Sequence, residues 1–125
     1  MLLDTHTLLW FLSDDENLPF SVKQQIEATD TVFASIVSLW EIAIKLSINK
    51  LTLRTPFESL DSDIAASGIT IFPIVFQDTA IYRSLPLHHR DPFDRMLVAQ
   101  AIRHSIVLVS RDTILDAYPI QRLWS

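Results

Sequence analysis

The chain has no cysteine and only one glycine, Gly68, among its 125 residues. Without cysteine there can be no disulfide, zinc–thiolate site or iron–sulfur cluster, which fits a reducing, cytoplasmic setting. A single glycine cannot build the glycine-rich phosphate loops of P-loop or Rossmann proteins. Long apolar runs are missing too. Stretches such as residues 7–12 fall far short of a membrane span, so no membrane association is expected. Met1-Leu-Leu-Asp4 lacks a basic region, and a signal peptide is not expected. Positive charge is in deficit, with 10 Lys and Arg against 15 Asp and Glu and a net charge of −5. That balance argues against holding a polyanion by bulk attraction. Nucleic-acid chemistry would have to be local, with acids gathered around divalent cations. Lys45, Lys50, Arg54, Arg90, Arg95, Arg103 and Arg111 could supply basic stripes, although an ordinary solvated surface accounts for most of them.

Nearly half of the residues are hydrophobic, and the length suits one domain, residues 1–125. No linker, repeat or low-complexity stretch divides it. Short apolar strands are expected at 1–3, 31–34, 70–72 and 106–109, with an edge strand near 120–124. Helical spacing of apolar residues predicts helices over 6–12, 20–28, 38–48, 56–66, 77–85 and 92–104. Pro19, Pro56 and Pro92 stand where helices begin, a position that tolerates proline. Strands alternating with longer helices imply a parallel sheet covered on both faces, a three-layer α/β/α fold. Such sheets bind ligands beyond the carboxyl ends of their strands.

Acids lie at those ends. Asp4 follows the first strand, and Asp112 follows the 106–109 strand in a Ser-Arg-Asp turn. Glu41 falls in the expected first turn of its helix, and Asp91 and Asp94 bracket the start of another. Each has a structural role available: Asp4, Asp91 and Asp112 as caps, Asp94 in a helix's first turn, and Ser38 with Glu41 as a capping box. Taken together they suggest more. Carboxylates facing each other without lysine partners repel, and a hard cation relieves that repulsion. All-oxygen ligation suits Mg²⁺ or Mn²⁺, which can activate water for attack on phosphorus.

Four stretches carry a resemblance: residues 2–10 (Leu-Leu-Asp-Thr-His-Thr-Leu-Leu-Trp), 35–45 (Ser-Ile-Val-Ser-Leu-Trp-Glu-Ile-Ala-Ile-Lys), 89–101 (His-Arg-Asp-Pro-Phe-Asp-Arg-Met-Leu-Val-Ala-Gln-Ala) and 107–112 (Val-Leu-Val-Ser-Arg-Asp). In order and spacing the chain resembles PIN-domain proteins, and more narrowly the VapC branch of toxin–antitoxin ribonucleases. The resemblance spans essentially the whole chain. It implies a parallel sheet between helices, an acidic Mg²⁺ or Mn²⁺ site, and hydrolysis of RNA phosphodiesters without a covalent intermediate, leaving a 5′-phosphate and a 3′-hydroxyl. Carried over residue by residue, the four acids are Asp4, Glu41, Asp94 and Asp112. Asp91 stands either behind them or as a sharer of the metal, and Ser38 beside them. It also implies a cognate antitoxin whose C-terminal segment lies across the acidic groove, and a homodimer, for which Trp10, Phe11, Trp40 and Trp124 offer apolar surface. One position departs from the family: His6 stands where many relatives carry a small hydroxyl residue, leaving Thr5, Thr7 or a water to take its place. His88 and His89 read as polar surface outside the metal site.

Two rival readings differ in class. A haloacid-dehalogenase-like phosphatase would want a second Asp at position 6, and a receiver domain would want a lysine after the late strand, where Ser110-Arg-Asp112 stands. The other rival is a PIN-like interaction module that has lost its metal and its catalysis.

Overall fold

The computed structural model describes residues 1–125. Its centre is a strand of two residues, β1 (Leu2–Leu3), both fully buried. Successive strand residues point to opposite faces, so Leu2 and Leu3 enter two different cores. The other strands are β2 (Val32–Ser35), β3 (Ile69–Phe72), β4 (Leu108–Val109) and β5 (Arg122–Leu123). They form one parallel sheet in the order β3-β2-β1-β4-β5. Leu2 pairs with both Phe33 and Leu108, which locks β1 between β2 and β4. The expected α/β/α fold with a central parallel sheet is the fold observed.

Six helices cover the sheet: α1 (Thr5–Ser13), α2 (Phe20–Ala28), α3 (Ile36–Ser47), α4 (Leu60–Ala66), α5 (Phe76–Ser84) and α6 (Pro92–His104). On one face Leu3, Ala34 and Val109 pack against Leu8, Val22, Ile26, Ile42 and Ile64 from the first four helices. On the other, Leu2 and Leu108 pack against Val37, Leu97, Val98 and Ala101, joined by Leu115 and Tyr118. Burial of this kind contributes roughly 25 cal/mol per Å² of apolar surface removed from water, which orders strands of only two residues. No helix is long and apolar enough to cross a membrane.

Helix starts differ from expectation by more than one residue in two places. The predicted helix over 56–66 begins as a 3₁₀ turn at Phe57–Ser59, because the Ser59 hydroxyl donates to Pro56 O and tightens the first turn. The helix predicted from Ser38 starts at Ile36 and is capped by Ser35, whose Oγ accepts from Val37 N. The Ser38–Glu41 capping box is therefore not formed, and Glu41 falls in the second turn of α3. Gly68 follows α4 with φ +76, the left-handed step that lets the chain leave the helix and enter β3. With no second glycine, Asp14 and Ser105 take left-handed conformations at the ends of α1 and α6.

Candidate active site

The strand order reverses direction between β1 and β4, the kind of switch point where parallel sheets open a crevice. Asp4 leaves β1 on one side of it, and Asp112 follows β4 on the other. Glu41 reaches it from α3, and Asp91 and Asp94 from the start of α6. All five carboxylates line one open pocket of about 360 Å³, together with Thr5, His6, Trp10, Lys45 and Arg111.

Capping and clustering prove compatible. Asp4 Oδ1 accepts from Thr7 N and caps α1. Asp91 Oδ1 accepts from Phe93 N and Asp94 N and caps α6. Asp112 Oδ1 accepts from Ile114 N and caps a 3₁₀ turn over Thr113–Ala117. In each case one oxygen holds the backbone, and the carboxylate still faces the pocket. Asp94, in the first turn of α6, carries no cap. Burial, with Asp91, Asp4 and Glu41 as like-charged neighbours, pushes its pKa up to about 7, while His89 pulls the other way.

Glu41 is buried, and both its oxygens are engaged. Thr5 Oγ1 lies 2.6 Å from Oε1 and 3.0 Å from the buried Ser38 hydroxyl, and Lys45 Nζ donates to Oε2 at 2.7 Å. Of the two threonines that flank His6, Thr5 is the one whose hydroxyl meets Glu41. Thr7 points away and donates to Val109 O. The expectation of acids without a lysine partner fails here: Lys45, one helical turn beyond Glu41, is that partner.

His89 is the residue that sequence reasoning missed. Its Nε2 lies 3.0 Å from both Asp94 Oδ2 and Asp112 Oδ2, so the ring stands between the two acids rather than on open surface. The buried Tyr118 fixes the loop that carries it: its hydroxyl donates to Pro86 O and accepts from His88 N and His89 N. Nothing in the local sequence signals this, because Tyr118 lies 29 residues away along the chain. His88 stays exposed beside the Tyr118 ring, as expected.

The basic residues divide differently from the expected solvated surface. Lys45 and Arg111 line the pocket, Arg103 pairs with the buried Asp78, and Arg95 packs over the Tyr82 ring and donates to Leu85 O. Lys50, Arg54 and Arg90 are exposed. Of the four aromatics expected to offer apolar surface, only Trp40 is strongly exposed, at 59%. Trp10, Phe11 and Trp124 are partly buried against the core.

The donor set available to an ion is oxygen-rich, with Asp4, Glu41, Asp94 and Asp112 around one opening and the Thr5 hydroxyl behind Glu41. Mutual repulsion, visible in the raised pKa of Asp94, is what a hard divalent cation relieves, so these residues fit Mg²⁺ or Mn²⁺. His89, Asp94 and Asp112 also place three potential ligand atoms within 4.8 Å of one another.

Comparison with known proteins agrees in fold and extent. The sequence model described as PIN domain matches residues 1–121. Ribonuclease VapC22 of Mycobacterium tuberculosis (strain ATCC 25618 / H37Rv) is 28% identical over 122 residues, covering 94% of this chain and 91% of that protein. The crystal structure of VapBC2 from Rickettsia felis, bound to a DNA fragment from their promoter, contains a chain that superposes with a TM-score of 0.70 at 15% identity, covering 98% of this chain and 96% of that one. A toxin–antitoxin complex from Klebsiella pneumoniae gives 0.65 at 19% identity, covering 98% and 95%. These two likenesses establish the fold alone.

Proposed function

The chain belongs to the PIN-domain family, and from that premise we propose that it is a metal-dependent endoribonuclease, the toxin of a toxin–antitoxin pair. The observation that carries this reading is the meeting of Asp4, Glu41, Asp94 and Asp112, from four separate elements, around one pocket where Asp94 is held up to about 7. Support for an RNA substrate comes from the likeness to a protein named as a ribonuclease, and support for an antitoxin from neighbours solved as toxin–antitoxin complexes.

In this reading Asp4, Glu41, Asp94 and Asp112 hold Mg²⁺ or Mn²⁺, and Asp91 stands behind them as the cap of α6. When bound, the ion supplies water activation and stabilises charge developing on the phosphate. The protein's own work is placement. Thr5 and Lys45 fix the Glu41 carboxylate, and the α1 and 3₁₀ caps fix Asp4 and Asp112. An antitoxin segment would insert a basic side chain among the same acids. A homodimer is supported by the exposed apolar patch of Ile36 and Trp40 on α3, with Phe93 of α6 edge-on to Trp40.

The test is cleavage of a pool of structured RNAs with Mn²⁺, Mg²⁺ or EDTA, beside Asp94→Asn. Metal-dependent cutting that vanishes in the variant is expected. Saturable Mn²⁺ binding without cutting of any RNA would count against it, and the absence of binding as well would favour the inactive module.

A further inference from the structure

The four acids account for phosphate chemistry but leave one wall of the pocket without a task. On α1, His6 and Trp10 are one turn apart and share a face. Their rings lie 5.5 Å apart between centroids, tilted by 33°. Arg111, in the loop after β4, places its guanidinium 5.0 Å from the Trp10 ring centroid. Trp124, just past β5, packs 6.2 Å from Trp10 and backs it against the core. Trp10 is the one large apolar side chain lining a pocket that otherwise holds charged and polar groups. His6 and Arg111 are exposed, and no ion pair of the chain includes Arg111.

A flat aromatic surface topped by a planar cation, set beside carboxylates that would hold an ion on a phosphate, matches the chemistry of a nucleotide rather than of a phosphate alone. Base stacking on aromatic side chains is the sequence-tolerant way proteins hold single-stranded nucleic acid, and arginine adds a cation–π contact. The two elements that carry the wall also carry Asp4 and Asp112, so its position relative to the acids is fixed by β1–β4 pairing.

We infer that His6, Trp10 and Arg111 form a nucleobase subsite that receives an unstacked base of the RNA next to the scissile phosphate. The inference rests on the ribonuclease reading. It implies that the enzyme cuts where a base is free to leave its stack, in loops and single strands, and not within continuous duplex.

The experiment uses the full chain carrying Asp94→Asn, with a short single-stranded RNA and the same RNA made abasic at one nucleotide at a time. Binding is read by Trp fluorescence and anisotropy. Loss of one particular base is expected to weaken binding roughly 5- to 150-fold, the range of one base–aromatic stack. His6→Ala and Arg111→Ala should reduce that discrimination, and Trp10→Ala should abolish it. Because Trp10 also touches the core, the exposed His6 and Arg111 variants carry the test if Trp10→Ala misfolds. In the otherwise unaltered chain, His6→Ala should leave Mn²⁺ affinity unchanged. RNA binding with no base dependence, or base dependence untouched by all three substitutions, overturns the subsite while the nuclease reading stands. The subsite is equally overturned if the substitutions weaken only the binding of a protein partner. Failure to bind any single-stranded RNA overturns the subsite as well, and the nuclease reading falls with it only if the structured RNAs are not cut either.

Discussion

His89 Nε2 stands 3.0 Å from Asp112 Oδ2, and by the same distance it bridges to Asp94 Oδ2. The imidazole therefore holds together two carboxylates that would otherwise repel. As a hydrogen-bond donor it would compete with a bound cation for their oxygens. His89→Ala is expected to lower the stability of the metal-free protein by about 1.5–3 kcal/mol, the scale of a hydrogen bond to a charged group. It should also tighten Mn²⁺ binding several-fold in calorimetry. A tenfold loss of affinity would instead make the ring a ligand.

Protonation of Asp94 gives a second prediction. Its pKa in the fold, about 7, lies above the ordinary 3.8, so the proton binds the folded state more tightly. The stability this group contributes is complete below about pH 4 and is lost as pH rises through 7. In EDTA, the stability of the unaltered protein relative to Asp94→Asn should fall as pH rises from about 4 to about 7. Saturating Mn²⁺ should reverse that trend, since the ion prefers the ionised carboxylate. Melting curves at both pH values, with and without metal, provide the check.

Thr5→Val keeps the shape of the side chain and removes the hydroxyl that lies 2.6 Å from Glu41 Oε1. Groups that orient metal-binding side chains typically change affinity by roughly 10- to 100-fold when lost. Mn²⁺ affinity should fall about tenfold, with Glu41 still in place. Unchanged affinity would mean that Lys45 alone orients the carboxylate.

Far from the pocket, Asp78 is fully buried and accepts from Val75 N, Gln100 Nε2 and Arg103, tying α5 to α6. Burial would raise its pKa, but the Arg103 and backbone bonds hold it below the usual carboxylate range. Asp78→Ala leaves these donors unpaired and is expected to cost about 3 kcal/mol in urea unfolding. Metal binding by the folded fraction should persist.

Strand and helix order were legible because each apolar run matched one period, and the α/β/α layering follows from that alternation. The start of α3 at Ile36, capped by Ser35, was less so. Ser35 and Ser38 both resemble caps, and only the parallel pairing of Ser35 with Phe72 places the strand end at the first of them. Within the pocket, Asp4, Asp91 and Asp112 declared themselves by sitting at element ends, where capping and clustering coincide. His89 did not, since its place depends on a hydroxyl from Tyr118, held across the fold by residues with no shared local pattern. Lys45 could have been found: its spacing of four from Glu41 on a helix is a pairing signal.

The pairing of Leu3 with Val109 joins strands that are far apart in the sequence. Asp4 has no neighbour across the crevice until β4 takes its place beside β1, and Asp112 follows only after that. A growing polypeptide on the ribosome consequently carries Asp4 and Glu41 well before it carries Asp112. The pocket assembles only once β4 and the turn after it have emerged. Any chain cut short before Leu108 is released without it.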